Sequence, residues 1–340
     1  MDRGSYLNYF ILCYFIDNAQ RNLYERACEA LLKKGLVDIN MILKEAKENK
    51  LSYQLSKKLY ENKFVNSKEL IEKMLREDEK SIFRLKKTLN FLNFIFKKAN
   101  LEFLVIKTYK KELFVTADID IIVKLKNYEQ VIEILEENGF VKGGGTFYWL
   151  INKLKLGTPD FIAKDMLTVD LYGGIPWKGF TLMDEEFLWQ NPKLMYLDEL
   201  KYFIPNAEAD FLSIVLSTIF TDIKLTFLDF SYLDSLIKNG LNYELLFWQA
   251  KKFKWANTLA KYISILQGIK NNLYGDENIM SKIKFPISIP LSFMMKALFY
   301  PVLFSVKSKP QDAHFTLTNV AYRCFFGRFY AKAAKILNTI

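Results

Sequence analysis

Three aspartates carry the chemistry that this sequence could perform. Asp118 and Asp120 stand one residue apart in TADIDIIV (116–123), and Asp170 sits in LTVDLYG, again with apolar residues on both sides. Their β-branched surroundings predict buried strands. In a strand, residues i and i+2 point to one face, so Asp118 and Asp120 share a side while Ile119 and Ile121 face the core. Two carboxylates held so close repel each other, and keeping both ionised needs a cation. Magnesium, a hard ion that prefers oxygen, is the usual one. Asp170 is the candidate third ligand. Asp160 and Asp165 compete with it, although Pro159 precedes the first and the second lies between Lys164 and Met166. The alternative is a solvent-facing Asp-x-Asp pair on an antiparallel edge, with Asp170 a separate surface residue.

Composition narrows the chemistry further. His314, near Lys309 and Pro310, is the sole histidine and reads as a loop or surface residue. Ser-His-Asp triads and His-rich metal sites are therefore excluded or confined to that residue. Chemistry must run on carboxylates, lysines and a bound metal. Cys13, Cys28 and Cys324 are far apart in apolar surroundings, which indicates neither a disulfide framework nor a thiolate zinc site and fits a reduced cytosolic compartment. The net charge of +10, from 48 basic and 38 acidic residues, favours a polyanionic partner such as nucleic acid, nucleotide or an anionic membrane surface, or else reflects a lysine-rich solvated face.

The elements that must position the aspartates follow from periodicity. With 340 residues, 51% hydrophobic and 16% aromatic, the chain is a folded protein of two or three domains. Residues 1–99 read as helical, with Gly35 as a C-cap and Asn66 with Glu69 as a capping box for a long helix. The opening MDRGSYLNYFILCYFIDNAQ is an amphipathic or core helix rather than a signal peptide. From Leu101 the period changes: LEFLVIK is a strand, TYKKELFV a polar connection and ADIDIIVKL a second strand. Asn127 and Gln130 then open the helix YEQVIEILEEN, which Gly139 ends, and GGGTFYWLINKL and DFIAKDMLTVDLY follow as strands of a hairpin or meander.

Helical periodicity returns near Asn206. The segment 289–306 contains Lys296 and Pro301 and reads as a buried or interfacial helix rather than a membrane span. Residues 301–340 hold six basic residues against one acidic, a local charge of +5 interleaved with aromatics. These suit nucleic-acid contacts, with an amphipathic helix packing the aromatics inward as the favoured account. The expected architecture is α+β: a small mixed sheet at 100–205 between helical regions at 1–99 and 206–340.

FLVIKTYKKELFVTADIDIIV, the helix ending ILEENGF and then TVDLYGGIPW together resemble the nucleotidyltransferase superfamily, of polymerase-β-like fold, over residues 95–178. The group most similar is the uncharacterised nucleotidyltransferase family 5, whose members carry Lys-Gly after the first strand, then Asp-Ile-Asp-Leu-Leu-Val and a later Asp-Leu-His. Lys107-Thr108 occupies the Lys-Gly position, ten to eleven residues before Asp118. Thr replaces the glycine, Leu171-Tyr172 replaces Leu-His, and the family's arginine before the first aspartate is absent, leaving Lys110 and Lys111 nearby.

The resemblance implies that Asp118, Asp120 and Asp170 hold two magnesium ions. It also implies that Lys107, Thr108, Lys110 and Lys111 meet an NTP such as ATP, and that a hydroxyl of RNA, protein or a small molecule accepts the nucleotide in the cytoplasm as pyrophosphate leaves. An alternative is an inactive relative binding nucleotide, RNA or a protein partner through its basic helical regions. A third is a membrane-surface protein using 289–306.

Overall fold

The computed structural model describes residues 39–48, 50–61, 68–107, 114–143, 159–177, 180–221 and 225–274. Outside them lie Gly35, Asn66, Thr108, Lys110, Lys111, all but the first residue of the strand expected at 143–154, the segment 289–306, His314, the three cysteines and the basic tail.

Three helices precede the sheet: α1 (Ile39–Glu48), α2 (Ser52–Glu61) and α3 (Lys68–Lys98). Lys50, at φ +61°, turns the chain between α1 and α2, and the Leu51 amide donates to the Ala46 carbonyl at 2.7 Å. Helix α3 buries Ile71, Ile82, Leu85, Leu89, Leu92 and Phe96, a three-and-four spacing that makes one apolar stripe. It ends where Asn100 takes the left-handed conformation at φ +55° and the Leu101 amide returns to the Phe96 carbonyl at 2.9 Å. The chain is thereby released into strand β1.

The five-stranded sheet contains β1 (Phe103–Ile106), β2 (Asp118–Val123), β3 (Val141–Lys142), β4 (Asp160–Ile162) and β5 (Thr168–Tyr172), in the order β1-β2-β5-β4-β3. Strands β2 and β5 run parallel and every other pair is antiparallel. Central strand β2 buries Ile119, Ile121, Ile122 and Val123 completely. Such a continuous apolar run is what a strand covered on both faces requires.

Two local expectations change. DFIAKDMLTVDLY forms two antiparallel strands, β4 and β5, because Asp165 at φ +60° reverses the chain between them. The Leu167 amide donates to Thr88 Oγ1 at 2.9 Å, which ties this reversal to α3. Asn127 makes no side-chain cap for helix α4 (Tyr128–Glu137): it closes a 3-10 turn, Leu125–Asn127, with φ −102° and ψ 1°, not the extended backbone a capping residue needs. The other end of α4 is as expected, with Gly139 at φ +85° and the Phe140 amide bonded to the Leu135 carbonyl.

Beyond the sheet come hairpins β6 (Pro176–Trp177) with β7 (Phe180–Thr181) and β8 (Lys193–Leu197) with β9 (Leu200–Ile204), separated by the short helix α5 (Glu185–Trp189). Helices α6 (Ala207–Leu216), α7 (Phe227–Lys238), α8 (Tyr243–Lys252) and α9 (Ala256–Tyr274) follow. Asn206 caps α6 by accepting from the Ala209 amide, and Thr226 with Asp229 forms a capping box on α7. Lys252 and Gln249 of α8 both hold the Asp184 carboxylate at the start of α5, at 2.7 and 3.2 Å. One hydrophobic core runs from Ile42 of α1 through the sheet to Leu266 of α9. The fold is α+β, a mixed sheet set among helices. Among the described residues no helix is long and apolar enough to cross a membrane.

Candidate active site

Strand register puts the acidic residues in a row. Ile106 of β1 pairs with Asp120 of β2, Asp120 with Asp170 of β5, and Asp170 with Asp160 of β4. Register partners project to one face, so Asp120, Asp170 and Asp160 emerge side by side. Asp118, two residues before Asp120, joins that face and stands opposite Thr168. Asp165 is held apart in the β4–β5 reversal.

The four carboxylates differ in environment. Asp120 is 7% exposed, whereas Asp118, Asp160 and Asp170 are partly exposed. Thr116 Oγ1 lies 3.1 Å from Asp118 Oδ1 and 3.0 Å from the Asp118 carbonyl oxygen, so its hydroxyl steadies the strand's first residue. Asp160 Oδ1 is buried without a hydrogen-bond partner, which is costly for a carboxylate. Burial raises the Asp170 carboxyl to about 7, helped by the negative charges of Asp120, Asp118 and Asp160 and opposed by Lys107.

Lys107 is the cation that meets this row. It follows β1 directly and adopts the left-handed backbone at φ +57°, unusual for a residue with a side chain. Its ammonium reaches Asp120 Oδ1 at 2.7 Å, donates to the Tyr172 hydroxyl at 3.3 Å and lies 5.0 Å from the Tyr172 ring centroid. Tyr172 is two residues beyond Asp170 on β5 and so rises from the same face. Its phenol is pushed upward, first by burial, and remains a neutral hydrogen-bonding group at ordinary pH. The strand beneath is held where Tyr128 of α4 donates to the Leu171 carbonyl at 3.4 Å.

Close backbone approach shapes the far end of the row. A Cβ on Gly143 would lie 2.5 Å from Asp160 Oδ2 and 2.8 Å from Asp160 Cγ, so only glycine leaves room for that carboxylate. The Gly143 amide donates to the Asp160 carbonyl at 2.7 Å, which holds the two residues together.

Asp118, Asp120 and Asp170 thus lie along one face of neighbouring strands, with Lys107 against Asp120, while Thr108, Lys110 and Lys111 are outside the described residues. Two participants are not anticipated from sequence as members of the site. Asp160 reads there as a rival to Asp170, and Tyr172 as a replacement for another residue. The positions of Asp160 and Asp170, equally far from Asp165, are the signal that a hairpin would pair them.

Hard oxygen donors on one face, one of them with a buried unpaired oxygen, fit a magnesium ion by their chemistry. Among the described residues no three such side chains converge on a metal position, and the cation in contact with Asp120 is the Lys107 ammonium.

No protein-family model matches this chain, and no curated protein matches it. Among solved structures it is similar to the lincosamide antibiotic adenylyltransferase LnuA, in a lincomycin-bound crystal structure, at 14% identity and a TM-score of 0.30. That match covers 44% of this chain and 95% of LnuA.

Proposed function

We propose that the protein is a magnesium-dependent nucleotidyltransferase that moves an NMP from an NTP, such as ATP, to a hydroxyl acceptor. The observation carrying this reading is the carboxylate row, in which Asp118 and Asp120 of β2 lie beside Asp170 of parallel strand β5, with Lys107 at its edge. Asp118, Asp120 and Asp170 would hold magnesium, which when bound offsets negative charge on the phosphates and the attacking oxygen.

The chain's own groups account for the rest. The acceptor oxygen forms a bond to the α-phosphorus, the bond between that phosphorus and the β-bridging oxygen breaks, and pyrophosphate leaves. Asp170, at the inner side of that site, would take the acceptor's proton as the new bond forms. Lys107 offers its ammonium to the triphosphate, and Thr108, Lys110 and Lys111, which follow it in the sequence, would add a hydroxyl and two ammonium groups to that binding. No histidine is required. The acceptor is a hydroxyl of RNA, of protein or of a small molecule, and the site of action is the cytoplasm.

The test is incubation with each labelled NTP, magnesium and total cellular RNA or protein, followed by measurement of pyrophosphate release and label transfer. Transfer that requires magnesium and Asp120 is the expected result. Thermal stabilisation by an NTP without pyrophosphate release would instead assign a nucleotide-binding module without catalysis. Absence of both binding and transfer would end the reading.

A further inference from the structure

We infer that Lys107 is an internal counter-ion that competes with a divalent cation for Asp120 and yields its place when a polyphosphate draws it away. The inference rests on the proposed nucleotidyltransferase site and adds a way in which that site is regulated. Loading of the metal and of the nucleotide is thereby coupled.

The geometry supplies both halves of such a device. The Lys107 ammonium is 2.7 Å from Asp120 Oδ1, in contact with the most buried carboxylate of the row. A divalent ion binding that oxygen cannot tolerate an ammonium there, since both cations need the same lone pairs and repel each other. Lys107 is also held on its other side, by the Tyr172 hydroxyl at 3.3 Å and the Tyr172 ring face at 5.0 Å. The four-carbon stem of a lysine is flexible, and its ammonium is a point charge that can change partners.

The backbone adds a reason for lysine to reach Asp120 at all. At φ +57° the chain turns out of β1 at Lys107, while Ile106 is still in register with Asp120. A phosphate arriving there offers Lys107 a second anion. Transfer of the ammonium from Asp120 to the phosphate frees Asp120 to bind metal, and by reciprocity the metal strengthens phosphate binding. Without nucleotide, Lys107 keeps the carboxylate row partly neutralised.

The measurement is Mn2+ affinity of the full chain, followed by the paramagnetic signal of free Mn2+, in the absence of any nucleotide. Lys107→Met is expected to bind Mn2+ at least tenfold more tightly than the parent. Lys124→Met is the control, because Lys124 pairs with Glu102 at the other end of β2 and its loss should change the affinity less than twofold. Inorganic tripolyphosphate, pre-bound to protein already loaded with limiting Mn2+, should slow metal loss from the parent and not from Lys107→Met. Should Lys107→Met unfold, Lys107→Gln, which keeps the stem and a neutral donor, serves for the same comparison.

Equal or weaker Mn2+ binding by the Lys107 variant overturns the inference, as does failure of both proteins to bind Mn2+. These outcomes are separate from the transferase assay. Unchanged metal affinity in Lys107→Met would remove the counter-ion and leave the function, which magnesium-dependent transfer by the parent decides, whereas tighter metal binding by Lys107→Met beside a parent that transfers no nucleotide would do the reverse.

Discussion

Asp120 and Asp170 stand directly opposite each other on parallel strands, and only Asp120 has the Lys107 ammonium against it, at 2.7 Å. This asymmetry gives the two carboxylates different states. Asp120 is ion-paired, while Asp170, more weakly influenced by Lys107, is raised to about 7. One carboxylate in contact with a lysine beside another that lacks that contact is a basis for dividing roles between them.

Replacement of either β2 aspartate follows from that division. Asp120→Asn or Asp118→Asn is expected to lower magnesium-dependent transfer by at least about 100-fold, in keeping with the loss of electrostatic stabilisation at a reacting centre. Circular dichroism should be unchanged, because Ile119, Ile121 and Ile122 continue to hold β2 in the core. Transfer at the parental rate by either variant would remove the proposed metal site.

The raised acid also makes stability depend on pH in a definite direction. Asp170 at about 7 and Asp78 at about 6 bind protons more tightly in the folded chain than in the unfolded one. Between pH 4 and 7 the native state therefore holds more protons, and stability falls as pH rises. Each tenfold gain in proton affinity on folding is worth at most about 1.4 kcal/mol, and partial solvent access lowers the whole effect to about 1–2 kcal/mol for Asp170. In metal-free buffer, denaturation midpoints should drop from pH 5 to pH 8, and Asp170→Asn should flatten part of that slope, the rest belonging to Asp78 and to Asp210, whose carboxyl burial also pushes up. A midpoint rising over this interval in the parent would contradict the assignment.

Asp160 gives a separate test, because its buried Oδ1 has no partner and its charge raises Asp170. Asp160→Asn is expected to shift the Asp170 titration downward and to stabilise the metal-free chain by up to about 1 kcal/mol. The same variant should weaken Mn2+ binding several-fold if Asp160 lends charge to the metal site. Titration of the Asp170 carboxyl by NMR reads the first effect, and an unmoved Asp170 would show that Asp160 is electrostatically remote.

Much of this site is legible in the sequence where local rules suffice. The alternation in DIDIIV specifies a strand with two carboxylates on one face, and the same setting around Asp170 marks a second such strand. The helix ending at Gly139 is equally legible, because a left-handed residue is needed there. What escapes depends on register. No local pattern states that β5 lies beside β2, or that β4 folds back to set Asp160 next to Asp170. The capping box expected at Asn127 fails for a related reason: a preceding 3-10 turn fixes Asn127 in a backbone conformation that its residue type does not reveal. Tyr172 is invisible as a site residue until the sheet brings it to Lys107.

The tightest backbone approach in the row yields the last prediction. A Cβ added at Gly143 would come within 2.5 Å of Asp160 Oδ2, while the 2.7 Å bond from the Gly143 amide to the Asp160 carbonyl keeps the strands from parting. The Asp160 side chain must therefore rotate out of its place. Gly143→Ala is expected to cost about 1–3 kcal/mol, the usual range for forcing extra volume into a packed position. In an Asp160→Ala background the obstacle is gone, so adding Gly143→Ala should cost little. Urea denaturation of the parent, both single variants and the double variant measures the coupling, expected at about 1 kcal/mol or more. Additive costs would mean that the Asp160 carboxylate does not occupy the space in front of Gly143, and the row would then end at Asp170.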